Sequence, residues 1–441
     1  MIKTQHKINL FIASLNLLVL GLYILNFDLP VGSNLYFLLV FFFLLSLISI
    51  FEIKFDNSIF RFFSSLQLPI LSIIFLFFFL ELIYLLKPNI FPQDLKIWIN
   101  KDTKNKEVIE YLDRSPYIKF KPNVKVRIQF YRGNTNQFEY DWQTDSKGFK
   151  NLQYLSKLKE VDIVTLGDSF AEGMGVPIEE TFSTILNDKG YTTYNLGVQG
   201  YSTSQMLGSF IEFGKNLNPK FVLTQYTFAT YGREKFFKDK ENISYTGGIS
   251  YINSSQINPE IREQGKYLFS ALWLMTKNLR MSIKNSIKYY SIDMKDKKFN
   301  KYKDIIKIEK VNSTPLDIES WNASLNAFKK INEISSTINA KMFLIYIPTR
   351  PMIYYERALG RKLPEKVLKE SKMLKEFSIK NNFIFVDPTD DLINYVNSLP
   401  ANFNVSELPY LEIDAHMNEV GYNILANKIK EFIEKNHISK N

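Results

Sequence analysis

The stretch VDIVTLGDSFAEGMG, residues 161–175, is the part of the chain from which the fold can be argued. Its first six residues are almost all apolar or β-branched, which predicts a short buried strand. Gly167 ends that strand, Asp168 and Ser169 follow at its carboxyl end, and the remaining residues are compatible with a helix. Ligands of open parallel sheets bind at the carboxyl ends of the strands, and helix amino termini favour negative charge. Ser169 therefore lies where we expect a reactive group.

A serine hydroxyl needs a base before it can act as a nucleophile, and the chain has three histidines. His6 precedes a hydrophobic segment, and His437 lies in the polar tail. His416 follows Asp414 by two residues, at the predicted start of an amphipathic helix, and a carboxylate beside an imidazole is the usual orienter of a catalytic base. A histidine that only caps the last helix would give the same pattern. The residues alone leave both interpretations of His416 open.

Three blocks of the sequence resemble the SGNH/GDSL hydrolase family, and they occur in the family's order. They are GDSFAEGMGV at 167–176, NLGVQGYSTSQ at 195–205 and DAHMNEVGY at 414–422. The likeness covers roughly residues 145–435 and resembles the membrane-anchored bacterial branch of the family. It implies an α/β fold, a three-layer flavodoxin-like domain with a parallel sheet, and a serine hydrolase that uses no cofactor.

The resemblance also implies roles for individual residues. Ser169 matches the nucleophile, His416 the base and Asp414 its orienter, while the backbone N–H groups of Ser169 and Gly200 match two donors of the oxyanion hole. Family members more often space the last pair as Asp-x-x-His, whereas this chain has Asp-x-His. Glu412 is therefore an alternative orienter.

One family feature is missing at the end of the third predicted strand, residues 221–228. Relatives usually place an Asn-Asp pair there, and the Asn side chain donates to the oxyanion. This chain has Ala229, Thr230 and Tyr231 instead. The Thr230 hydroxyl is the nearest substitute donor, but it has a shorter reach and its hydrogen can rotate away. The alternatives are a weaker oxyanion hole, a donor from the segment that follows, or loss of activity.

Composition limits the partners and cofactors. The net charge is +10 over 441 residues, but the basic residues are scattered among acidic ones, with no arginine-rich arm. We therefore expect no nucleic acid partner, whereas anionic lipid headgroups or acidic glycans fit a basic surface near a bilayer. The absence of cysteine excludes disulfides and thiolate metal sites. With one usable histidine, no metal site and no cofactor are expected.

The amino-terminal region is predicted to anchor the chain in a membrane. Three apolar segments, at about 9–26, 35–50 and 62–86, are each near the length that spans a hydrocarbon core. A soluble protein would need a large partner domain to cover three helices that are apolar all round. Basic residues precede the first segment and separate the second from the third, while the loop at 28–34 has none. The positive-inside rule then predicts a multi-pass protein of the inner (cytoplasmic) membrane, with the region after residue 87 periplasmic or extracellular.

The predicted domains are a three-helix transmembrane anchor at 1–86, a linker and β-hairpin connector at 87–152, and an SGNH hydrolase-like domain at 153–441 with an insertion at 232–315. In the connector, alternation at 124–128 and 138–142 predicts a hairpin with a turn at 133–134, and 106–112 is predicted helical. Further predicted strands lie at 192–196, 342–347 and 383–386, and helices at 316–338, 363–380 and 390–399. A helix predicted at 266–290 is compatible with a lid, a membrane-lying helix or plain core packing.

These observations predict a membrane-anchored serine esterase that removes acyl groups, acetyl among them, from cell-envelope glycans or lipid esters. One alternative is an O-acyltransferase on the same polymers, which would need a membrane-bound partner to supply the acyl donor. Another is a catalytically silent glycan-binding or assembly protein, because the family's Asn is missing. Arg350, at a predicted strand end, is interpreted either as a surface residue or as a contact to an anionic substrate group.

Overall fold

The protein divides into two compact units, one formed by 1–99 with 258–290 and the other by 100–257 with 291–441. The computed structural model describes residues 83, 87, 90, 108–132, 135–227, 230–234, 250–253, 294–302, 304–310, 317–412 and 414–438. Nearly all of these belong to the second unit, which is the one described below. The domain boundaries at residues 86 and 152 stay predictions.

Three predictions fall on other parts of the chain. Apart from Ile83, the apolar segments at 9–26, 35–50 and 62–86 lie outside the described residues, as do the helix at 266–290 and the turn at 133–134. Within the described ranges, the structure contains no helix with both the length and the apolar character needed to span a bilayer.

The strands and helices alternate through most of the described chain. In chain order the strands are β1 Ile109–Tyr111, β2 Ile118–Phe120, β3 Lys125–Arg132, β4 Thr135–Gln143, β5 Ile163–Leu166, β6 Thr193–Asn195, β7 Phe221–Thr227, β8 Ser250–Asn253, β9 Lys341–Ile347 and β10 Ile384–Val386. The α-helices are α1 Ser169–Glu172, α2 Phe182–Asp188, α3 Thr203–Ser209, α4 Ile318–Thr337, α5 Arg350–Leu359, α6 Lys369–Lys380, α7 Thr389–Ser398 and α8 Glu419–Ile438.

A parallel five-stranded sheet forms the centre of this unit, in the order β6-β5-β7-β9-β10. This is the flavodoxin-like strand order, so the predicted α/β architecture is confirmed. Strand β7 is buried along its whole length and pairs with β5 on one side and β9 on the other. In this order the direction of travel reverses between β5 and β7, and such switch points are where ligands bind.

Helices cover both faces of the sheet. The chain crosses the sheet in one direction between β5 and β6 and in the other direction afterwards, and right-handed crossovers therefore place α2 opposite to α3 and α4. Helix α4 packs against α3 and β9, and its Phe328 ring lies 6.1 Å from that of Tyr226 on β7. Helix α8 packs against α2, where the rings of Tyr422 and Phe182 stack at 6.3 Å.

The connector differs in part from its predicted form. Strands β3 and β4 pair antiparallel, which confirms the hairpin, and β8 from the insertion adds a third strand beside β3. The helix predicted at 106–112 is wrong for its second half, since Ile109–Tyr111 form β1 and pair antiparallel with β2. Ile109 is buried there opposite Phe120, so tertiary pairing and burial override the local preference.

Candidate active site

Ser169 is the first residue of α1, in a tight turn directly after β5. Asp168 caps the helix, since its carboxylate accepts the Phe170 N–H at 3.0 Å. The neighbouring strand supports the turn from below, because Oε1 of Gln225 accepts the Asp168 N–H at 3.2 Å. A Cβ on Gly167 would lie 2.4 Å from that same oxygen, so a side chain at this position would block the close approach.

The structure brings Ser169, His416 and Asp414 together. The Ser169 Oγ lies 2.7 Å from Nε2 of His416, which is 247 residues away in the sequence, and Nδ1 of His416 lies 2.7 Å from an Asp414 carboxylate oxygen. The imidazole also packs against the Phe170 ring, with ring centroids 4.7 Å apart. Because an ionised carboxylate only accepts, Nδ1–H donates to Asp414, and neutral His416 accepts the Ser169 hydroxyl proton at Nε2.

The electrostatics of the pair favour a charged imidazole next to a charged carboxylate. Burial alone would lower the pKa of His416, but the charge and hydrogen bond of Asp414, with smaller contributions from Asp168 and Glu172, raise it above its ordinary value. Burial would raise the pKa of Asp414, but His416 and the Ala415 N–H hold it below its usual range. Asp414 therefore stays ionised and stabilises the imidazolium that forms when His416 takes a proton.

Arg350 holds the loop that contains Asp414. Its Nη1 donates to the backbone oxygens of Leu411, Glu412 and Asp414 at 3.0, 3.1 and 3.0 Å, and its Nη2 donates to Asp304 at 2.8 Å. The residue is only 8% exposed, so the interpretation of Arg350 as a surface residue is wrong. Its guanidinium satisfies carbonyl groups that a bend of this kind would otherwise leave unpaired.

Glu412 does not contact His416. Its carboxylate forms an ion pair with Lys301 at 2.8 Å on the outer side of the loop. The short Asp-x-His spacing works because the loop bends sharply at Ala415, whose N–H donates to one oxygen of Asp414 at 2.7 Å while the other oxygen accepts from His416.

The two backbone N–H groups predicted to donate to the oxyanion are those of Ser169 itself and of Gly200 in the loop after β6. Within the described part of the chain, neither the Ser169 N–H nor the Gly200 N–H has an acceptor. Gly200 has a φ of +81°, which glycine adopts without strain. The Val198 N–H donates to the Gly167 oxygen at 3.3 Å, so the loop after β6 lies directly against the turn after β5.

The Thr230 hydroxyl points back to the end of its own strand. It donates to the Thr227 carbonyl at 2.7 Å, accepts the Thr227 N–H at 3.0 Å and lies 2.7 Å from the Thr227 hydroxyl. These contacts close the turn at the end of β7, and the Thr230 hydroxyl hydrogen is already donated within that turn. The structure therefore does not bring Thr230 into contact with Ser169.

Sequence reasoning missed Arg233, which lies three residues after Thr230. Its Nη1 lies 2.5 Å from a carboxylate oxygen of Asp168 and 3.3 Å from the Tyr201 carbonyl. Asp168 is fully buried, and burial alone would raise its pKa. The charge and hydrogen bond of Arg233, the Phe170 N–H and the charge of His416 together lower the pKa of Asp168 below its ordinary value. Lysines follow closely at 235 and 238, so no pattern in the sequence distinguishes Arg233 from its neighbours.

The segment 145–151 is a turn in which most of the polar side chains are buried. Gly148 has a positive φ of +86°, and a Cβ there would lie 2.1 Å from the Phe120 oxygen. Asp145 is fully buried and accepts from Asn151 at 3.1 Å and from Tyr194 at 2.5 Å.

Lys150, in the same segment, secures the turn that follows α1. Its Nζ donates to the oxygens of Gly173 and Val176 at 2.8 and 2.7 Å and lies over the Tyr140 ring. Burial lowers the pKa of Lys150 to about 7, although Glu172 acts in the opposite direction. The connector hairpin and the Ser169 helix are thereby joined through one buried amine.

Clusters of three or more His, Asp or Glu side chains that could hold a metal ion do not occur among the described residues. No family model matches the chain, and no curated protein matches it.

Several solved structures are similar to the chain. An acetyl xylan esterase is 12% identical, with a TM-score of 0.34 over 62% of this chain and 98% of that one. A GDSL-like lipase from Bacteroides thetaiotaomicron is 14% identical, with a TM-score of 0.30 over 65% and 91%. A psychrotrophic esterase from Pseudoalteromonas sp. is 12% identical, with a TM-score of 0.29 over 62% and 96%. Similarities at these TM-scores do not assign a role to any residue of this chain.

Proposed function

We propose that the protein is a serine esterase that acts through an acyl-enzyme. The principal support is the contact of Ser169 with His416 and of His416 with Asp414, both at 2.7 Å, at the carboxyl edge of a parallel sheet. A hydroxyl, a base and an orienting carboxylate in this arrangement are the parts that nucleophilic acyl transfer requires.

In the proposed reaction, Ser169 Oγ attacks the ester carbonyl as His416 Nε2 takes its proton. The carbonyl oxygen becomes an anion and accepts the N–H groups of Ser169 and Gly200. His416 then gives the proton to the departing alcohol, which leaves an acyl group on Ser169. Water attacks this acyl group, again through His416, and releases the acid. Each donor to the anion contributes about 3 kcal/mol at the transition state, so two N–H groups support substantial catalysis without the missing Asn.

The proposed setting is a membrane surface, and the proposed substrates are acyl groups, acetyl among them, on cell-envelope glycans. The support is in the sequence, namely three apolar segments before residue 87 and a charge pattern that predicts an external catalytic region. The net charge of +10 suits acidic polymers or headgroups.

Labelling with a fluorophosphonate probe tests the proposal, using the full chain in detergent micelles. We expect labelling of the unaltered chain and its loss in both Ser169→Ala and His416→Ala. Ser398→Ala, at an exposed serine on α7, is the matched control and should label normally. Labelling that persists in Ser169→Ala, or that proceeds at the normal rate in His416→Ala, would contradict the proposal. Product analysis with and without an acceptor sugar then separates hydrolysis from transfer.

A further inference from the structure

The strand end that lacks the family's Asn also lacks a free hydroxyl, because Thr230 is used in capping β7. The acyl-transfer site nevertheless has to accommodate a full negative charge next to Ser169. Asp168 adds to this difficulty, since it is a buried carboxylate directly before the nucleophile. An unpaired negative charge at that position would oppose the oxyanion, and the effect is strong where water is excluded.

Arg233 contacts both segments that supply the free N–H groups. Its Nη1 reaches the side chain of Asp168, which precedes Ser169, and the carbonyl of Tyr201, which follows Gly200. A single guanidinium nitrogen thus joins the turn after β5 to the loop after β6. The Thr227 hydroxyl donates to the same Asp168 oxygen at 3.1 Å, which ties in the end of β7 as well.

The ion pair between Arg233 and Asp168 is also energetically favourable. The Asp168 side chain is fully buried, whereas the Arg233 side chain is 35% exposed and keeps part of its hydration. The charge-assisted hydrogen bond from Arg233 to Asp168 is short, at 2.5 Å, and therefore strong. Breaking it would leave the Asp168 carboxylate buried without a counter-ion.

We propose that Arg233 is a positioning residue of the acyl-transfer site: it cancels the charge of Asp168 beside the developing oxyanion and holds the Ser169 and Gly200 N–H groups in place. This inference rests on the proposed function and adds to it a side chain from the start of the insertion. Arg233 acts through Asp168 and the backbone.

The experiment compares Arg233→Gln, Arg233→Lys and the double variant Asp168→Asn/Arg233→Gln with the unaltered full chain. The readouts are kcat and KM for p-nitrophenyl acetate and the rate of fluorophosphonate labelling as a function of pH. For Arg233→Gln we expect kcat to fall about tenfold with little change in KM. Arg233→Lys should retain most of the activity because it keeps the charge. The double variant, which has no buried unpaired carboxylate, should exceed Arg233→Gln.

The pH dependence provides a readout that a purely structural ion pair would not change. The charged groups facing His416 are Asp414 on its own loop and Asp168 and Glu172 at the two ends of α1. Removing Arg233 leaves Asp168 uncompensated, so the acid limb of the labelling profile should move to higher pH. In the double variant the acid limb should lie at lower pH than in Arg233→Gln, because the Asp168 charge is also removed.

Arg114→Gln is the matched control, because Arg114 forms an ion pair of the same 2.5 Å length with Glu212 on the surface. Its kinetics and pH profile should equal those of the unaltered chain. An Arg233→Gln variant with normal kcat and an unshifted limb overturns the inference while leaving the proposed function intact. A double variant no faster than Arg233→Gln also overturns it. Absence of labelling in the unaltered chain overturns the proposed function and this inference together.

Discussion

Asp414 and Glu412 are two carboxylates on one loop, and only Asp414 is oriented towards the imidazole. We expect Asp414→Asn to reduce kcat about 10⁴-fold, because an amide no longer selects the tautomer in which Nε2 accepts a proton. Glu412→Gln removes only the ion pair with Lys301 and is the control. The measurement is kcat for p-nitrophenyl acetate in both variants. Equal losses would show that the orienter is not Asp414.

The raised pKa of His416 sets the expected pH profile. The imidazole must be neutral to accept the proton of Ser169, so the rate should rise with pH through a pKa above the ordinary value of 6.5. Asp414 is the main cause of the raised value, and in Asp414→Asn the acid limb should therefore move to lower pH. Fluorophosphonate labelling rates from pH 5 to 9 measure both limbs. An acid limb below 6.5 in the unaltered chain would contradict this account.

At the level of single residues, the sequence allowed Ser169, His416, Asp414 and Gly200 to be chosen, because each lies in a block with a recognisable pattern. Thr230, chosen as a substitute donor to the oxyanion, could not be judged from the sequence in the same way. The direction of its hydroxyl depends on the turn that closes β7, and that turn is formed by hydrogen bonds no letter pattern specifies. The role of Arg233 could not be predicted either, because its partner Asp168 lies 65 residues earlier in the sequence.

Helix α5 connects the sheet to the His416 loop through Arg350. Replacing Arg350 with Met would leave three carbonyls and Asp304 without their donor, so we expect a loss of about 3 kcal/mol in the free energy of unfolding. The loop would also lose its position, so kcat should fall even at temperatures where the variant is folded. Denaturant unfolding and kcat measure the two effects.

Arg357, on the same helix, provides the comparison for that variant. It contacts Asp296 and the backbone oxygen of Asn397, away from the catalytic loop. Arg357→Met should therefore lower stability without lowering kcat. If both variants keep full activity while folded, Arg350 has no role in positioning Asp414.

The buried amine of Lys150 predicts a pH-dependent stability for the contact between the connector hairpin and the turn after α1. Its pKa is about 7 in the folded chain and about 10.4 when unfolded. Between these values the unfolded chain binds a proton that the folded chain does not, so this residue makes stability rise with pH in that window.

The Lys150→Met variant isolates this contribution, because all other titrating groups are common to both chains. Its melting temperature should increase less between pH 7 and 9 than that of the unaltered chain. Lys380→Met, at an exposed lysine at the end of α6, should retain the original dependence. Parallel pH dependences for all three chains would contradict a buried, easily deprotonated Lys150.

At the scale of elements, buried strands were predicted well because continuous apolar runs such as 342–347 have few alternatives. Helix α5 was missed, since its start at Arg350 follows β9 immediately and Pro351 in its first turn resembles a break. Strand β1 was predicted helical, because three residues contain too little periodicity to reveal a pairing with β2.

For the whole molecule, the alternation of strands and helices was enough to predict a parallel α/β sheet, and right-handed crossovers then restrict its topology. The pairing of β8 with β3 joins residues more than a hundred positions apart, and local patterns contain no information about it. The anchor at 1–86 and the insertion helix at 266–290 remain predictions.

The most direct test of the account is to identify the residue that becomes acylated. The full chain is mixed with p-nitrophenyl acetate, quenched with acid within the first turnovers and digested, and the peptides are analysed by mass spectrometry. We expect one acetyl group on the peptide that contains Ser169, and its absence in Ser169→Ala. Acetylation of a different residue, or hydrolysis that proceeds in Ser169→Ala, would contradict it.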